Sequence, residues 1–471
     1  MYASFNQDRL DFPLLTFFAY LVICGMLMLY SVSRPPDVEE WGLVEVMGSD
    51  LGKQLIWLLI SGGAWFTVVY LVERDFWIRA AYPLFGATIL LLVGVLIFGK
   101  EINNARSWFS VAGFTFQPSE IAKVGAALGM AAYLSQWSGK LRGLGTVGSA
   151  LLIMAVPAAL IVLQPDPGSA LVFASFLLVM YREGLNPLIL GGGLFTAAMF
   201  LLGILHPTAY LAGAQAALFL LLLALTAPRH TRRWVAGAVV LCAASIYLFY
   251  WQGITWPVLL GLLAAVSGMM IYHAVRQNGR VAGLFAVALV WGTLVAFTAN
   301  FTFNNVLRPH QQERINAWLR PEGMNERGAL YNIIQSKLAI AAGGVSGRGL
   351  GEGTITKYDY VPEQETDFIF SAVGEAQGFV GSLAVILGFL AILWRISVIA
   401  ERQKRTFVRA YAYGVAGIIF IHMLVNIGMT MGLMPVIGIP LPFLSKGGSS
   451  LLSFTIMIAI LVKLDRHRNE V

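Results

Sequence analysis

The sequence predicts an all-α polytopic membrane protein of about fourteen transmembrane helices with one long extracytoplasmic loop. Three observations predict it. Of 471 residues, 58% are hydrophobic and only 12% charged, whereas water-soluble domains carry about 25% charged residues. The mean hydropathy is +0.72. The apolar residues fall in blocks of about 16–25, each at or near the length that crosses a hydrocarbon core. These blocks lack the apolar–polar alternation of a membrane β-barrel. A soluble multidomain enzyme and a disordered chain are excluded on the same grounds.

The helices follow in order. The first, 12–31, has no cationic segment before it and no cleavage site after it, so it reads as retained rather than as a signal peptide. Next come 54–72 and 80–98, separated by the cationic turn holding Arg74 and Arg79. Helix 118–135 opens at Pro118-Ser119, with Ser119 as its N-cap. Helices 149–163 and 168–181 flank Gln164-Pro165-Asp166-Pro167, read as two spans or as one span with a re-entrant turn. Helices 187–205, 210–226, 235–250, 255–273 and 281–300 are separated by short Pro-, Gly- or Arg-bearing turns. Helix 368–394 starts after an acidic run, 408–432 follows the cationic stretch 395–405, and 446–464 opens on Gly447-Gly448. Cys24 and Cys242 both lie inside apolar runs and read as small core residues.

The charges fix an orientation. With both termini cytoplasmic and the loops alternating, 19 of the 32 Lys and Arg fall inside. The two short loops with three or more cations, 227–234 and 395–407, are then cytoplasmic, as the positive-inside rule requires. The net charge of +7 therefore reads as membrane orientation, not as nucleic-acid binding. This places 99–117 and the long stretch 301–367 outside.

Polar chemistry concentrates on that outer face. Arg106 lies in the loop 99–117. Gln117, Ser119, Glu120 and Lys123 stand at the start of helix 118–135, with Ser119 and Lys123 one turn apart. An ammonium at the membrane edge is costly alone. Lys123 therefore snorkels, pairs with Glu120, or meets a phosphate or a sugar-linked lipid head. Asp166 sits at a break built from two prolines and a glycine, as a helix cap, a site residue, or both. Residues 331–341 are amphipathic and predict a short helix, with Gln335 and Lys337 as its polar candidates. Gly343–Gly353 holds six glycines in eleven residues around Arg348. It reads as an anion nest or a flexible linker. Glu363 and Asp367 precede helix 368–394. Glu375 lies inside that span, where a carboxylate is functional by default. Gly432–Ser450, with three prolines, predicts an ordered non-helical segment whose Ser445, Lys446 and Ser449 offer donors to an anion.

In this order, Phe116–Lys123, Gln164–Gly168, Tyr360–Phe370 and Gly432–Ser450 resemble the shape, elongation, division and sporulation (SEDS) family, its RodA branch more than its FtsW branch. The resemblance covers most of residues 12–186 and 281–465. It implies a core of ten helices, so 187–280 reads as a four-helix insertion. The implied organisation is an N-terminal core segment over 1–186, the insertion 187–280, a core helix 281–300, a catalytic extracytoplasmic loop 301–367 and a C-terminal core segment over 368–471. The resemblance also implies a peptidoglycan glycosyltransferase in the bacterial cytoplasmic membrane. Such an enzyme polymerises lipid II into glycan strands during cell elongation and cell-shape maintenance. The implied partners are lipid II, the nascent strand, a class B penicillin-binding protein transpeptidase and other elongation-complex membrane proteins. Arg106, Lys123 and Arg348 are the cations assigned to the departing pyrophosphate. A divalent cation, Mg or Mn, is a candidate cofactor, and no organic cofactor is implied.

The chain departs from that family at the chemistry. The family's catalytic aspartate lies in an Asp-Pro pair six residues before the tyrosine matching Tyr331. Here that pair is Asn325 and Glu326. An amide cannot serve as a base, so Glu326 or Glu322 is expected to supply it, with Glu326 favoured by adjacency. Ala376 stands where a second glutamate is usual, and Lys446 where a tyrosine is usual. Two rival readings follow: a flippase for the lipid-linked precursor, and a weak or inactive lipid II-binding scaffold that activates a transpeptidase.

Overall fold

The computed structural model describes residues 10–34, 42–102, 105–111, 114–137, 141, 143–226, 233–250, 256–276, 279–321 and 328–468. These form two compact units, Met1–Asn186 with Arg314–Val471, and Pro187–Glu313. Among the described residues, eleven helices are long and apolar enough to cross a membrane. The three other expected spans are helical but fall outside that set. Residues 118–137 carry Glu120 and Lys123 amid Gly and Ala, 167–182 is too short, and 233–250 has only Ala236–Ser245 as its apolar stretch.

The first unit starts with α1 (Phe12–Ser33), capped by the Asp11 side chain on the Leu14 N–H. Then come α2 (Leu43–Gly48), α3 (Asp50–Phe66, running into a π-helical turn at Thr67–Leu71), α4 (Arg74–Arg79) and α5 (Ala81–Phe98). The stretch read as an outer loop forms a three-stranded antiparallel sheet, β1 (Lys100–Ile102), β2 (Ala105–Val111) and β3 (Phe114–Phe116). It leads into α6 (Pro118–Trp137) and α7 (Leu144–Leu163). The Gln164–Asp166 break follows, then α8 (Pro167–Leu171), a 3-10 turn and α9 (Phe176–Arg182).

The second unit holds α10 (Pro187–Leu205), α11 (Thr208–Thr226), α12 (Arg233–Tyr250), α13 (Trp256–Arg276) and α14 (Gly279–Asn305). Gly203 of α10 lies against the Ala296 main chain of α14, and Gly292 of α14 lies against Phe195. Small residues let membrane helices approach this closely. Helix α14, read from sequence as a core helix, packs with α10, α11 and α13. Helix α15 (Pro309–Leu319) crosses the division between the units.

The first unit resumes with α16 (Ala329–Gly343), the expected amphipathic helix, then α17 (Thr354–Lys357), α18 (Ile369–Glu401), α19 (Thr406–Thr430) and α20 (Gly448–Arg466). Helices α6, α19 and α20 are its most enclosed elements. Gly125 and Gly129 bring α6 onto Thr88 and Phe85 of α5.

Two irregular stretches interrupt the helices of this unit, and main-chain groups freed inside an apolar bundle need a protein partner. Helix α18 breaks at Gly378, whose φ is 65°. The N–H groups of Phe379 and Val380 donate to the Gly344 and Val345 carbonyls (2.9 and 3.1 Å). Those of Arg348 and Gly349 donate back to Glu375 and Ala376 (both 3.0 Å). A Cβ at Gly343 or Gly347 would collide with the α18 carbonyls. The glycine-rich segment is thus neither a linker nor an anion nest; it docks on the break. The second stretch, 432–447, is non-helical as expected, and Ile439, Leu441 and Leu444 are buried in the bundle.

Ion pairs close the opposite end of the first unit. Asp11 takes Arg395 (2.8 Å) and Arg402 (2.7 Å), and Arg402 also pairs with Asp465. Arg409 holds Glu183 at 2.7 Å. Both cysteines are free.

Candidate functional site

The site is built where α6, the Gln164–Asp166 break, the turn before α18 and the 432–447 segment meet. Gln117, just before α6, donates to Asp166 Oδ2 (2.9 Å). Asp166 Oδ1 accepts the Ser169 N–H (3.0 Å), capping α8. Ser107 on β2 donates to the Gln164 carbonyl (3.2 Å), which ties the sheet to the break. Of the two alternatives read for Asp166, the structure shows the cap, and the same carboxylate also holds Gln117.

One turn deeper lies a fully enclosed polar cluster. Lys123 Nζ contacts Glu120 Oε1 at 2.7 Å and His422 Nε2 at 2.9 Å. Ser453 donates to the other Glu120 oxygen (3.2 Å). His422 Nδ1 lies 2.9 Å from the Pro440 carbonyl. That acceptor places the ring proton on Nδ1 and leaves Nε2 to receive from Lys123. Phe454 covers the ammonium, its ring centre 5.3 Å away. Ser119 Oγ is buried without a partner among the described residues.

The turn 363–368 completes the site. Glu363 has φ 56°, and its carbonyl accepts the N–H groups of Thr366, Asp367 and Phe368. Ser445 Oγ donates to the Thr366 carbonyl (2.5 Å) and accepts the Leu441 N–H (2.8 Å). Lys446 N–H donates to the Glu365 carbonyl (2.8 Å). Its ammonium sits 2.6 Å from Asp50 and 3.6 Å from Glu365. Asn426 donates to the carbonyls of both Asp367 (2.8 Å) and Ile439 (2.7 Å). The turn and the 432–447 segment are locked together by these bonds. The Asp367 carboxylate faces Gly438, where a Cβ would lie 3.1 Å from its Oδ2. Burial pushes the Asp367 carboxyl up to about 7; the charges of Glu363, Asp166 and Glu365 add to the rise, and Arg314 opposes it.

Comparison with known proteins places this architecture. A sequence profile described as a cell cycle protein, named for FtsW, RodA and SpoVE, matches residues 12–223 and 229–470. The chain belongs to the FtsW/RodA/SpoVE (SEDS) family. It is 31% identical over 465 residues to the peptidoglycan glycosyltransferase RodA of Treponema pallidum (strain Nichols), covering 97% of this chain and 98% of that one. It is 27% identical to the peptidoglycan glycosyltransferase MrdB of Escherichia coli (strain K12), covering 98% and 95%. Two solved structures share the fold. One is a chain from a peptidoglycan synthase complex that coordinates polymerization and crosslinking, with TM-score 0.63, 24% identity and 98% and 99% coverage. The other is the rod shape determining protein RodA of Thermus thermophilus, with TM-score 0.54, 22% identity and 99% and 100% coverage. The profile match runs through most of 187–280, the stretch read as an insertion.

Within this SEDS chain, the structure joins some expected site residues and separates others. Gln117 and Asp166 form one hydrogen-bonded pair, Glu120 and Lys123 another. Glu363, Asp367, Ser445 and Lys446 share the locked turn. Ser449 is buried in the first turn of α20. Arg106 is exposed on β2, and Lys337 is exposed on α16 against Gly432. Gln335 is half-buried on the same helix. Arg348 is exposed, with Nε on the Ala342 carbonyl (2.9 Å). Glu375 spends both oxygens on the N–H groups of Ile355 (2.9 Å) and Thr356 (2.8 Å), so it caps α17. Glu322, Asn325 and Glu326 lie outside the described residues. Sequence reasoning passed over His422 and Asn426. Their signal was present: two polar residues one turn apart in an otherwise apolar span.

Proposed function

We propose that the chain is a membrane-embedded peptidoglycan glycosyltransferase that polymerises lipid II during cell elongation and cell-shape maintenance. The end-to-end relationship to a protein named for that activity supports it. The observation that carries it over a transporter is the one-sidedness of the polar machinery. Gln117, Asp166, Asp367 and Lys446 gather at one end of the first unit. The ion pairs of Asp11, Arg395, Arg402 and Asp465 close the other end. A flippase needs a polar path that reaches both faces.

In this reading the site faces the outside of the bacterial cytoplasmic membrane and both termini are cytoplasmic. The distribution of Lys and Arg supports that orientation. The acceptor's sugar hydroxyl attacks the anomeric carbon of the donor, and undecaprenyl pyrophosphate leaves. A single direct displacement inverts that carbon, so one base suffices and no nucleophilic carboxylate is required. Exposed Arg106, Arg348 and Lys337 are cations available to the departing pyrophosphate. Lys123 is enclosed by Glu120, His422 and Phe454, so its role is to hold the site together. The partner is a class B penicillin-binding protein; the synthase complex containing a related chain supports this.

The test is polymerisation of labelled lipid II by the purified full chain with such a partner, with and without moenomycin. Moenomycin-resistant polymer is expected. Translocation of lipid II in proteoliposomes without any polymer would instead identify a flippase. One observation favours a second reading, the inactive scaffold: the amide at Asn325.

A further inference from the structure

We infer that Asp367 is the general base of the glycosyl transfer, taking over the role that the amide of Asn325 cannot perform; the inference rests on the polymerase reading above. The neighbouring carboxylates other than exposed Asp359 are already engaged. Glu120 is held by Lys123 and Ser453. Asp166 is held by Gln117 and the Ser169 N–H. Asp50 and Glu365 share Lys446. Glu363 accepts from Thr366 Oγ1 (3.2 Å), and Glu375 caps α17. The Asp367 carboxylate has no hydrogen-bond or ion-pair partner among the described residues.

Its placement is nevertheless fixed. Its carbonyl is held by Asn426 and its N–H by the Glu363 carbonyl (3.1 Å). These bonds tie residue 367 to α19 and to its own turn, so only the carboxylate remains uncommitted. The residue facing it is Gly438, at φ 77°, which has no side chain to cover it. A base works best when its proton affinity lies near the working pH. Burial is the main cause of that, and the charged groups around Asp367 adjust it. Glu363 and Glu365 lie on its own turn, Asp166 on the α7–α8 break, and Arg314 on α15 is the opposing cation.

The step balances. The acceptor hydroxyl oxygen forms a bond to the donor's anomeric carbon as its proton passes to an Asp367 oxygen. The bond from that carbon to the pyrophosphate breaks, and its electron pair leaves with undecaprenyl pyrophosphate. Asp367 then returns the proton to water.

The test compares the full chain, with its partner, as wild type and as Asp367→Asn, Asp367→Glu, Glu322→Gln and Glu326→Gln. Readouts are polymerisation rate, lipid II binding and the pH profile. Asparagine keeps the main-chain groups that Asn426 and Glu363 hold, so Asp367→Asn is expected to fold and to bind lipid II. Its kcat is expected to fall by about 100-fold or more, the usual contribution of a general base. Glu322→Gln and Glu326→Gln, at the two bases expected from the sequence, are expected to lose far less of kcat than Asp367→Asn. The wild-type rate is expected to rise tenfold per pH unit up to about 7 and then level off. Asp367→Glu is expected to keep a pH limb with reduced rate. An active Asp367→Asn overturns the inference. So does a loss that merely tracks lost lipid II binding, or a wild-type rate that does not fall below pH 7. Abolition of activity by Glu326→Gln with Asp367→Asn still active overturns it as well. Wild type that makes no polymer overturns the polymerase reading itself, a result distinct from all of these.

Discussion

At the scale of single residues, the enclosed pair Glu120–Lys123 shows how charge is tolerated inside a membrane protein. Both side chains are essentially inaccessible, and each has a second partner, Ser453 for Glu120 and His422 for Lys123. Removing one member of such a pair strands the other. Lys123→Met is therefore expected to lower unfolding stability in detergent by about 3–5 kcal/mol. The double variant Glu120→Leu/Lys123→Met is expected to recover most of that loss, because no charge is left unpaired. A double variant as unstable as the sum of the singles would refute this account. The pairing itself was legible in the sequence, since the two residues stand three apart at a helix start. The partners of His422 were not, because residues 123 and 440 are brought to it by no local pattern.

At the scale of elements, Glu375 and the glycine-rich segment invert their sequence readings for one reason. A carboxylate inside a span looks functional, and repeated glycines look flexible. Neither reading can see that α18 breaks at Gly378 and that another segment must satisfy its freed main chain. Residues 344–349 do so through four main-chain hydrogen bonds, and Glu375 caps α17. Two outcomes follow. Gly347→Val places a side chain against the Ala376 carbonyl at φ 80°, and is expected to cost about 1–3 kcal/mol or more. Glu375→Gln is expected to speed limited proteolysis within 350–358 while turnover per folded molecule stays near wild type. Loss of turnover without faster proteolysis would return Glu375 to the substrate site. The helices themselves were legible, because hydropathy marks them directly. The sheet at 100–116 was not, because its segments are short and lack an alternating apolar pattern long enough to separate from loop.

At the scale of the whole molecule, two carboxylates with opposite shifts shape how stability depends on pH. Burial alone would raise the Asp11 carboxyl, but hydrogen bonds from Arg395, the Leu14 N–H and Arg402 outweigh it and hold the carboxyl below its ordinary 3.8. Stabilisation from Asp11 is thus present above that value and lost as pH falls through the depressed one. Asp367 works the other way, because its carboxyl is raised to about 7. Between about 4 and about 7 the folded chain keeps a proton there that the unfolded chain has released, so stability falls as pH rises across this window. Thermal unfolding in detergent is therefore expected to peak near pH 4 for these two groups taken together. Asp11→Asn should remove the peak's acid side by leaving Arg395 and Arg402 short of a partner at every pH. Asp367→Asn should flatten the fall between pH 4 and 7 and unfold at higher temperature than wild type above pH 7. A group that costs stability at the pH where the enzyme works is what a site held for chemistry produces. An Asp367→Asn variant less stable than wild type above pH 7 would show that the carboxylate is structural instead, and would remove it from the chemistry as well.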